Sequence, residues 1–307
     1  MRLRSALGRG AVLGCTLAAL LPAATSPALA ATTSPARLGG LPMTSLDGKI
    51  RYIPGNESPG SHAKALTLTT ALGPATGYDI SWPECGGAMP PSSSIAIVGV
   101  DDGHPFSQNP CLQQEVEWAS TATQRAEYMV VDSPVGWSSP HVLEYADHGP
   151  AGDCASTDYL CQSYNWGYNA AYTDVAYADS EGATSRQWWL DIELPTSTSI
   201  NASGADCYQA NFWVCDPKLN STAILGAVTA LREQGKEVGV YSTKTQWQAI
   251  TGGLPLGVPI WIAGFDYPAA TYCDPANAET YWFAAGYPTL VQSLPATFDP
   301  DTSCLEY

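Results

Sequence analysis

Apolar residues in this chain fall into short runs of strand character, separated by longer segments with helical spacing. Gly77-Tyr78-Asp79-Ile80-Ser81-Trp82 alternates and is stopped by Pro83, which predicts a first strand. Ser94 to Val100 predicts a second, more continuously apolar strand, followed by the polar turn Asp101-Asp102-Gly103-His104-Pro105. Residues 111–126 have helical character, and 127–131 predict a third strand. A helix over 162–181 leads into the central stretch Trp188-Trp189-Leu190-Asp191-Ile192-Glu193-Leu194-Pro195, a short buried strand ending in two carboxylates. After a cysteine-containing insertion, 220–234 predicts a helix stopped by Gly235, and Val238 to Ser242 predicts the next strand. Pro259 to Gly264 and Pro288 to Gln292 predict further strands, and Phe298-Asp299-Pro300-Asp301 and Cys304 close the chain. Strands alternating with helices over about 230 residues predict one parallel α/β barrel, without a second domain of ordinary size or an internal repeat.

In such barrels the chemistry sits at the carboxyl ends of the strands. Asp79, Asp102, the Asp191/Glu193 pair, and Asp299 or Asp301 all fall there. Each alone reads as a helix cap or solvated loop acid, and their recurrence after successive strands is the stronger signal. Strand alternation puts Asp191 and Glu193 on one face, with Leu190, Ile192 and Leu194 on the other. Their β-carbons would lie roughly 6.5–7 Å apart, close enough for one acid to stay protonated while its neighbour ionises. Glycoside cleavage needs such a pair, an acid for the leaving oxygen and an anion beside the forming oxocarbenium. Trp82, Tyr241 and Trp261 flank strand ends and are expected near the cleft, where aromatic faces suit sugar stacking.

The chain ends change the picture by placing the protein. Residues 1–30 read as a secretory signal: Arg2, Arg4 and Arg9, an apolar run from Ala11 to Ala24, and Ala28-Leu29-Ala30 as a cleavage site. Val12-Leu13-Gly14-Cys15 loosely resembles a lipobox, so lipid anchoring is the alternative to plain export. The apolar run is too short for a membrane span, and no later segment is long enough to supply one. Removing this segment takes away three arginines and no acids, moving the formal net charge from −16 to −19. A chain so acidic has no basic patch for nucleic acid. Residues 31–75, rich in Thr, Ser, Pro, Gly and Ala, read as a linker or tail, leaving 76–307 for the barrel. Eight of the nine cysteines follow the signal, an even number that suits disulfides. Clustering favours Cys85–Cys111, Cys154–Cys161, Cys207–Cys215 and Cys273–Cys304, though other pairings are open. No Cys-x-x-Cys occurs, and neither a metal nor any other cofactor is expected. A monomer is expected.

Several of these segments, in this order, resemble glycoside hydrolase family 25, the lysozyme-like muramidases. Gly77-Tyr78-Asp79-Ile80-Ser81 resembles the family's opening Gly-x-Asp-x-Ser strand, and Leu190-Asp191-Ile192-Glu193 its Asp-x-Glu strand. Val238 to Ser242 followed by Trp247 is similar to its Gly-Ile-Tyr strand and the next helix, and Ile260-Trp261-Ile262-Ala263 to its Leu-Trp-x-Ala strand. Val291-Gln292 with Phe298-Asp299-Pro300-Asp301 resembles its closing Gln-Tyr and Val-Asp-x-Asn segments. The resemblance spans about residues 76–304. It implies an irregular TIM-like barrel of five βα units and three further strands. It also implies cleavage of the β-1,4 bond between N-acetylmuramic acid and N-acetylglucosamine in a cell-wall polysaccharide. Glu193 would be the general acid, Asp191 would stabilise the cationic transition state or an acetamido-derived intermediate, and Asp79 and Asp299 would complete an acidic floor. Asp102 stands in the place of the family's glutamate after the second strand, and Gln292 in that of its closing glutamine. The chain departs from the pattern at Ser293, where the family has tyrosine, at Asp301, where it has asparagine, and in its cysteine-rich insertions.

Two other readings compete. Val100-Asp101-Asp102-Gly103-His104 resembles the Asp-Asp-Gly motif of metal-dependent polysaccharide deacetylases, but no His-x-x-x-His follows to complete a metal site. A barrel that binds glycan without cleaving it is the non-enzymatic alternative, since fold alone does not establish activity.

Overall fold

The computed structural model describes residues 74–134, 144–194, 213–294 and 297–304. All belong to one compact unit within Leu68–Tyr307. The expected signal, and all of the 31–75 stretch except Pro74 and Ala75, lie outside the described residues.

Ten strands are described: β1 (Thr76–Ile80), β2 (Ile95–Gly99), β3 (Gln124–Val130), β4 (His148–Gly149), β5 (Gly152–Asp153), β6 (Gln187–Asp191), β7 (Glu237–Ser242), β8 (Ile260–Ala263), β9 (Pro288–Gln292) and β10 (Asp299–Ser303). The short β4 and β5 pair only with each other, and the other eight close into a barrel in the order β1-β2-β3-β6-β7-β8-β9-β10. Seven of the eight run parallel, and β10 closes the ring antiparallel to both β9 and β1. The helices are α1 (Leu112–Ala119), α2 (Tyr159–Ser180), α3 (Pro217–Glu233), α4 (Lys244–Thr251), α5 (Ala269–Cys273) and α6 (Ala278–Tyr281). The α/β barrel expected from the alternation of strands and helices is the architecture observed.

Period-two alternation divides each strand between two cores. Trp188, Leu190 and Ile192 point outward and pack with Ala170, Val175, Ile224, Ala227 and Leu231 of α2 and α3. Trp189 points inward, among Ile95, Ile97, Ala126, Tyr241, Trp261 and Leu290. The interior is plugged by rings rather than open: Trp261 lies 4.5 Å from Tyr241 and 5.8 Å from Trp189, centroid to centroid. Asp191 and Glu193 share the parity of Trp189, so the fold carries both to the inner face, as alternation predicts.

Element boundaries differ from the sequence reading where a local contact overrides spacing. The helix expected to run to residue 126 stops at Ala119. Gln124 already donates its N–H to the Ser94 carbonyl (2.9 Å), and β3 pairs with β2 from that residue on. At the other helices the start comes earlier than periodicity predicts. Asp158 caps α2 by accepting from Cys161 N, and Asp216 followed by Pro217 caps α3.

Three of the expected disulfides are present, Cys85–Cys111, Cys154–Cys161 and Cys273–Cys304. Cys207, expected to pair with Cys215, lies outside the described residues.

Helices α2 and α3 approach backbone to backbone at two glycines. A β-carbon on Gly167 would fall 1.9 Å from the Ala223 carbonyl oxygen, and one on Gly226 would fall 2.2 Å from that of Tyr164. Alanine is favoured over glycine in an isolated helix by about 1 kcal/mol. In this contact Gly226→Ala is expected to do the opposite and destabilise by about 1–3 kcal/mol through overpacking. The urea midpoint measures it, and a raised midpoint would contradict the close approach.

Candidate active site

The carboxyl ends of the parallel strands and the start of β10 meet at one mouth. Asp79 stands one residue before the end of β1, Asp191 ends β6, Gln292 ends β9 and Asp299 begins β10, paired directly with Asp79. Glu193 lies two residues past β6, yet its backbone is held. Ile192 N–H donates to the Tyr241 carbonyl (3.0 Å), and Ser242 Oγ donates to the Ile192 carbonyl (2.7 Å). Trp213 Nε1 donates to the Glu193 carbonyl (2.8 Å), and Leu194 N–H donates to Gln246 Oε1. The Gln246 amide also donates to Glu193 Oε1 at 3.3 Å.

A second network forms the floor. Tyr241 OH donates to Gln292 Oε1 (2.6 Å), and Gln292 Nε2 donates to Asp79 Oδ2 (2.9 Å). Trp261 Nε1 donates to Asp301 Oδ1 (2.8 Å). Asp301 Oδ2 meets no donor. Burial, with the neighbouring Asp79 charge adding to it, pushes the Asp301 carboxyl well above the ordinary range, and the Trp261 indole opposes the rise.

Burial sets the electrostatics. It pushes the Asp79 carboxyl up to about 7, with Asp299 and Glu84 adding to the rise and the Gln292 amide opposing it. It pushes Asp191 well above the ordinary range, helped by the charges of Glu193, Asp101 and Asp79. Glu193 and Asp299 are raised in the same way, Glu193 by burial and Asp299, and Asp299 by burial and Glu84. Among the described residues the ion pairs join His148 to Asp153, Arg186 to Glu237 and Lys236 to Asp179, and none includes an acid of this mouth. An all-acid site in a dry barrel end retains protons to higher pH than solvated carboxylates do. It can therefore offer a neutral acid and an anion side by side.

The structure brings Asp79, Asp191, Glu193, Asp299, Tyr241 and Gln292 together. Tyr241 and Gln292 serve the floor and are largely buried. Trp261 is corrected: at 2% exposure it has no face for a sugar, because its ring fills the barrel and its indole N–H is spent on Asp301. Trp82 is 46% exposed on the turn after β1, beside Gly103. The Cys85–Cys111 disulfide ties that turn to the start of α1. Asp102 is exposed, and the acid that turns inward is its neighbour Asp101, 2% exposed, which accepts from Gly103 N (2.9 Å) and Val130 N (2.6 Å). Burial pushes Asp101 to about 7. Parity could have found it: Ile95, Ile97 and Gly99 alternate on one face, and Asp101 continues it. Asp132, buried and accepting from Trp166 Nε1 at 2.9 Å, and Gln246 carried no sequence signal. Neither did Phe265 and Tyr267, exposed just beyond β8. Among the described residues no group of three or more His, Cys, Asp or Glu is disposed to hold a metal ion, so the deacetylase reading gains no ligand set. No helix among them is long and apolar enough to cross a membrane.

No protein-family model matches the chain. It is similar to a probable GH family 25 lysozyme 2 of Dictyostelium discoideum, 29% identical over 110 residues covering 35% of this chain and 44% of the relative. It is also similar to a probable GH family 25 lysozyme 4 of the same organism, 30% identical over 122 residues covering 39% of each. The chain thus matches less than half the length of these curated relatives. These similarities bear out the resemblance to glycoside hydrolase family 25 read from the motifs. Among solved structures, the CTP1L endolysin matches 74% of this chain and 65% of its own at 12% identity, with a TM-score of 0.38, too low to bear on the argument.

The raised acids fix the sign of the pH dependence of stability. Asp79, Asp101 and Glu115 hold protons in the folded state up to about 7, against ordinary values of 3.8 to 4.5. Between those limits the folded state binds more protons than the unfolded one, so stability falls as pH rises through this window. The Tm is expected to be higher at pH 5 than at pH 8 by about 5 °C or more, the equivalent of one to two kcal/mol for a domain of this size. Asp301→Asn supplies a permanent N–H donor to Asp79 and should flatten the slope. Scanning calorimetry across pH 5–8 checks both, and a flat or rising wild-type profile would contradict the raised proton affinities.

Proposed function

We propose that this protein is a secreted glycoside hydrolase of muramidase type, cutting the β-1,4 bond between N-acetylmuramic acid and N-acetylglucosamine in peptidoglycan. One observation carries the reading. Glu193 sits at a barrel mouth with a carboxyl raised by burial, beside Asp191 and Asp299, with its backbone pinned on both sides. Export follows from the signal-like residues 1–30, and the disulfides are compatible with an oxidising compartment.

The roles follow from charge. Burial raises both Asp191 and Glu193, the Glu193 charge adds to the rise at Asp191, and in this reading the pair holds one proton between them. With substrate bound, that proton is on Glu193, which gives it to the glycosidic oxygen as the bond to the anomeric carbon breaks. The electron pair leaves with that oxygen, and positive charge develops on the sugar. Asp191 Oδ1 has no donor in the free site. Its anion is therefore stabilised chiefly by the cation that develops during the reaction, an interaction stronger in the transition state than in the ground state. Water then adds through its oxygen to the anomeric carbon and gives up a proton that restores Glu193 to the neutral acid. Asp79 and Asp299 orient the sugar and keep the pair protonated, while Trp82, Phe265 and Tyr267 offer exposed rings for flanking sugars.

A second reading, a barrel that binds glycan without cleaving it, is favoured by the engagement of Asp79 with Gln292, which leaves that acid less free for substrate. Release of reducing ends from purified peptidoglycan separates the two. Glu193→Gln keeps shape and hydrogen bonding but cannot deliver a proton, so turnover should fall by about 10²–10⁴-fold or more while muropeptide binding survives. Asp191→Asn should also lower turnover. Equal hydrolysis by wild type and Glu193→Gln would end the mechanism. Binding without any hydrolysis by wild type would select the inert barrel.

A further inference from the structure

We infer that Gln246 is a positioning residue for Glu193: its amide selects which carboxyl oxygen carries the proton and anchors the chain just beyond the carboxyl. The inference rests on the proposed role of Glu193 as the acid. Gln246 is held in the first turn of α4, where Thr243 Oγ1 accepts its backbone N–H at 3.1 Å. Helix α4 follows β7 after a single residue, and β7 pairs with β6 so that Tyr241 stands opposite Asp191. The first turn of α4 therefore lies against residues 192–194.

One amide makes both contacts. Its oxygen accepts the Leu194 backbone N–H, and its nitrogen donates to Glu193 Oε1. The two ends of a glutamine amide look alike, but a backbone N–H can only be met by the oxygen. The nitrogen must therefore face Glu193. A donor aimed at Oε1 leaves no room for a proton there, so the proton of neutral Glu193 resides on Oε2. The same donor stays in place after the proton has left and stabilises the carboxylate that remains. Asp191 from β6, Asp299 from β10 and the neutral Tyr241 phenol from β7 are the titratable groups around Glu193. Burial and the Asp299 charge disfavour its anion, whereas the Gln246 amide favours it and so makes Glu193 a stronger and oriented acid.

Two near-isosteric variants test this. Gln246→Glu keeps an acceptor for Leu194 N–H and removes the donor, while Gln246→Met removes both. In each, kcat on peptidoglycan should fall by about tenfold with KM nearly unchanged, and the alkaline limb of the rate profile should move up by about one pH unit, the scale of one hydrogen bond to a charged group. A merely structural role would lower activity with the folded fraction, read from thermal unfolding, and leave the limb in place. The carbon-13 titration of the Glu193 carboxyl, assigned by its loss in Glu193→Gln, gives a readout independent of turnover. Its midpoint should rise by about one unit in the uncharged Gln246→Met. If wild type cleaves no glycan, the hydrolase reading falls and the carbon titration still decides the positioning. An unchanged midpoint in both variants would overturn the inference.

Discussion

Each strand of this barrel must bury both of its faces, and that constraint organises the rest of the molecule. A strand with solvent on one side can alternate apolar with polar residues, but a barrel strand faces helices outward and seven other strands inward. The outward residues of β6, Trp188 and Leu190, meet the small and branched side chains of α2 and α3. The inward Trp189 meets Tyr241 and Trp261 in a ring that fills the lumen. Such filling leaves the barrel without a water-filled centre. Polar inward residues are then tolerable only at the ends, where neighbouring strands and loops supply donors.

The acids at the mouth are the product of that arrangement. Had Asp79, Asp101, Asp191 and Asp301 been solvated, they would be ordinary anions. Placed against an aromatic plug and facing one another without a cation, they retain protons that a solvated carboxylate would lose. Desolvation is the largest cause for every one of them, and mutual repulsion adds to it. The hydrogen bonds from Gln292, Trp261, Val130 and Gly103 work the other way and keep the burial affordable. The burial that raises these proton affinities is thus also what costs the fold stability as pH rises.

The motif-bearing stretches were legible because they lie on strands, where spacing and face are linked by geometry. From Trp189-x-Asp191-x-Glu193 alone, alternation places both acids with the inward tryptophan. The same rule, applied to Ile95, Ile97 and Gly99, points to Asp101 rather than Asp102, although the pattern of the resemblance favoured the latter. Trp261 illustrates the limit. Its position on a strand was plain, but whether an inward ring faces the cleft or plugs the lumen depends on what occupies the space above it, here Asp301 and the Tyr241 ring.

By itself the sequence determined the barrel class and the inward parity of Asp191 and Glu193, because each follows from local periodicity, while it only favoured the three cysteine pairs that the fold then makes. The contacts between distant segments were decided only by tertiary structure. The pairing of Asp79 with Asp299 joins the two ends of the domain. The amide of Gln246 reaches Glu193 across 53 positions, and that of Gln292 reaches Asp79 across 213. Nothing in the local pattern of either partner encodes such a meeting, since barrel closure through the antiparallel β10 is what brings first and last strands side by side. Burial likewise belongs to the assembled barrel, and with it the raised proton affinities of the acids at the mouth.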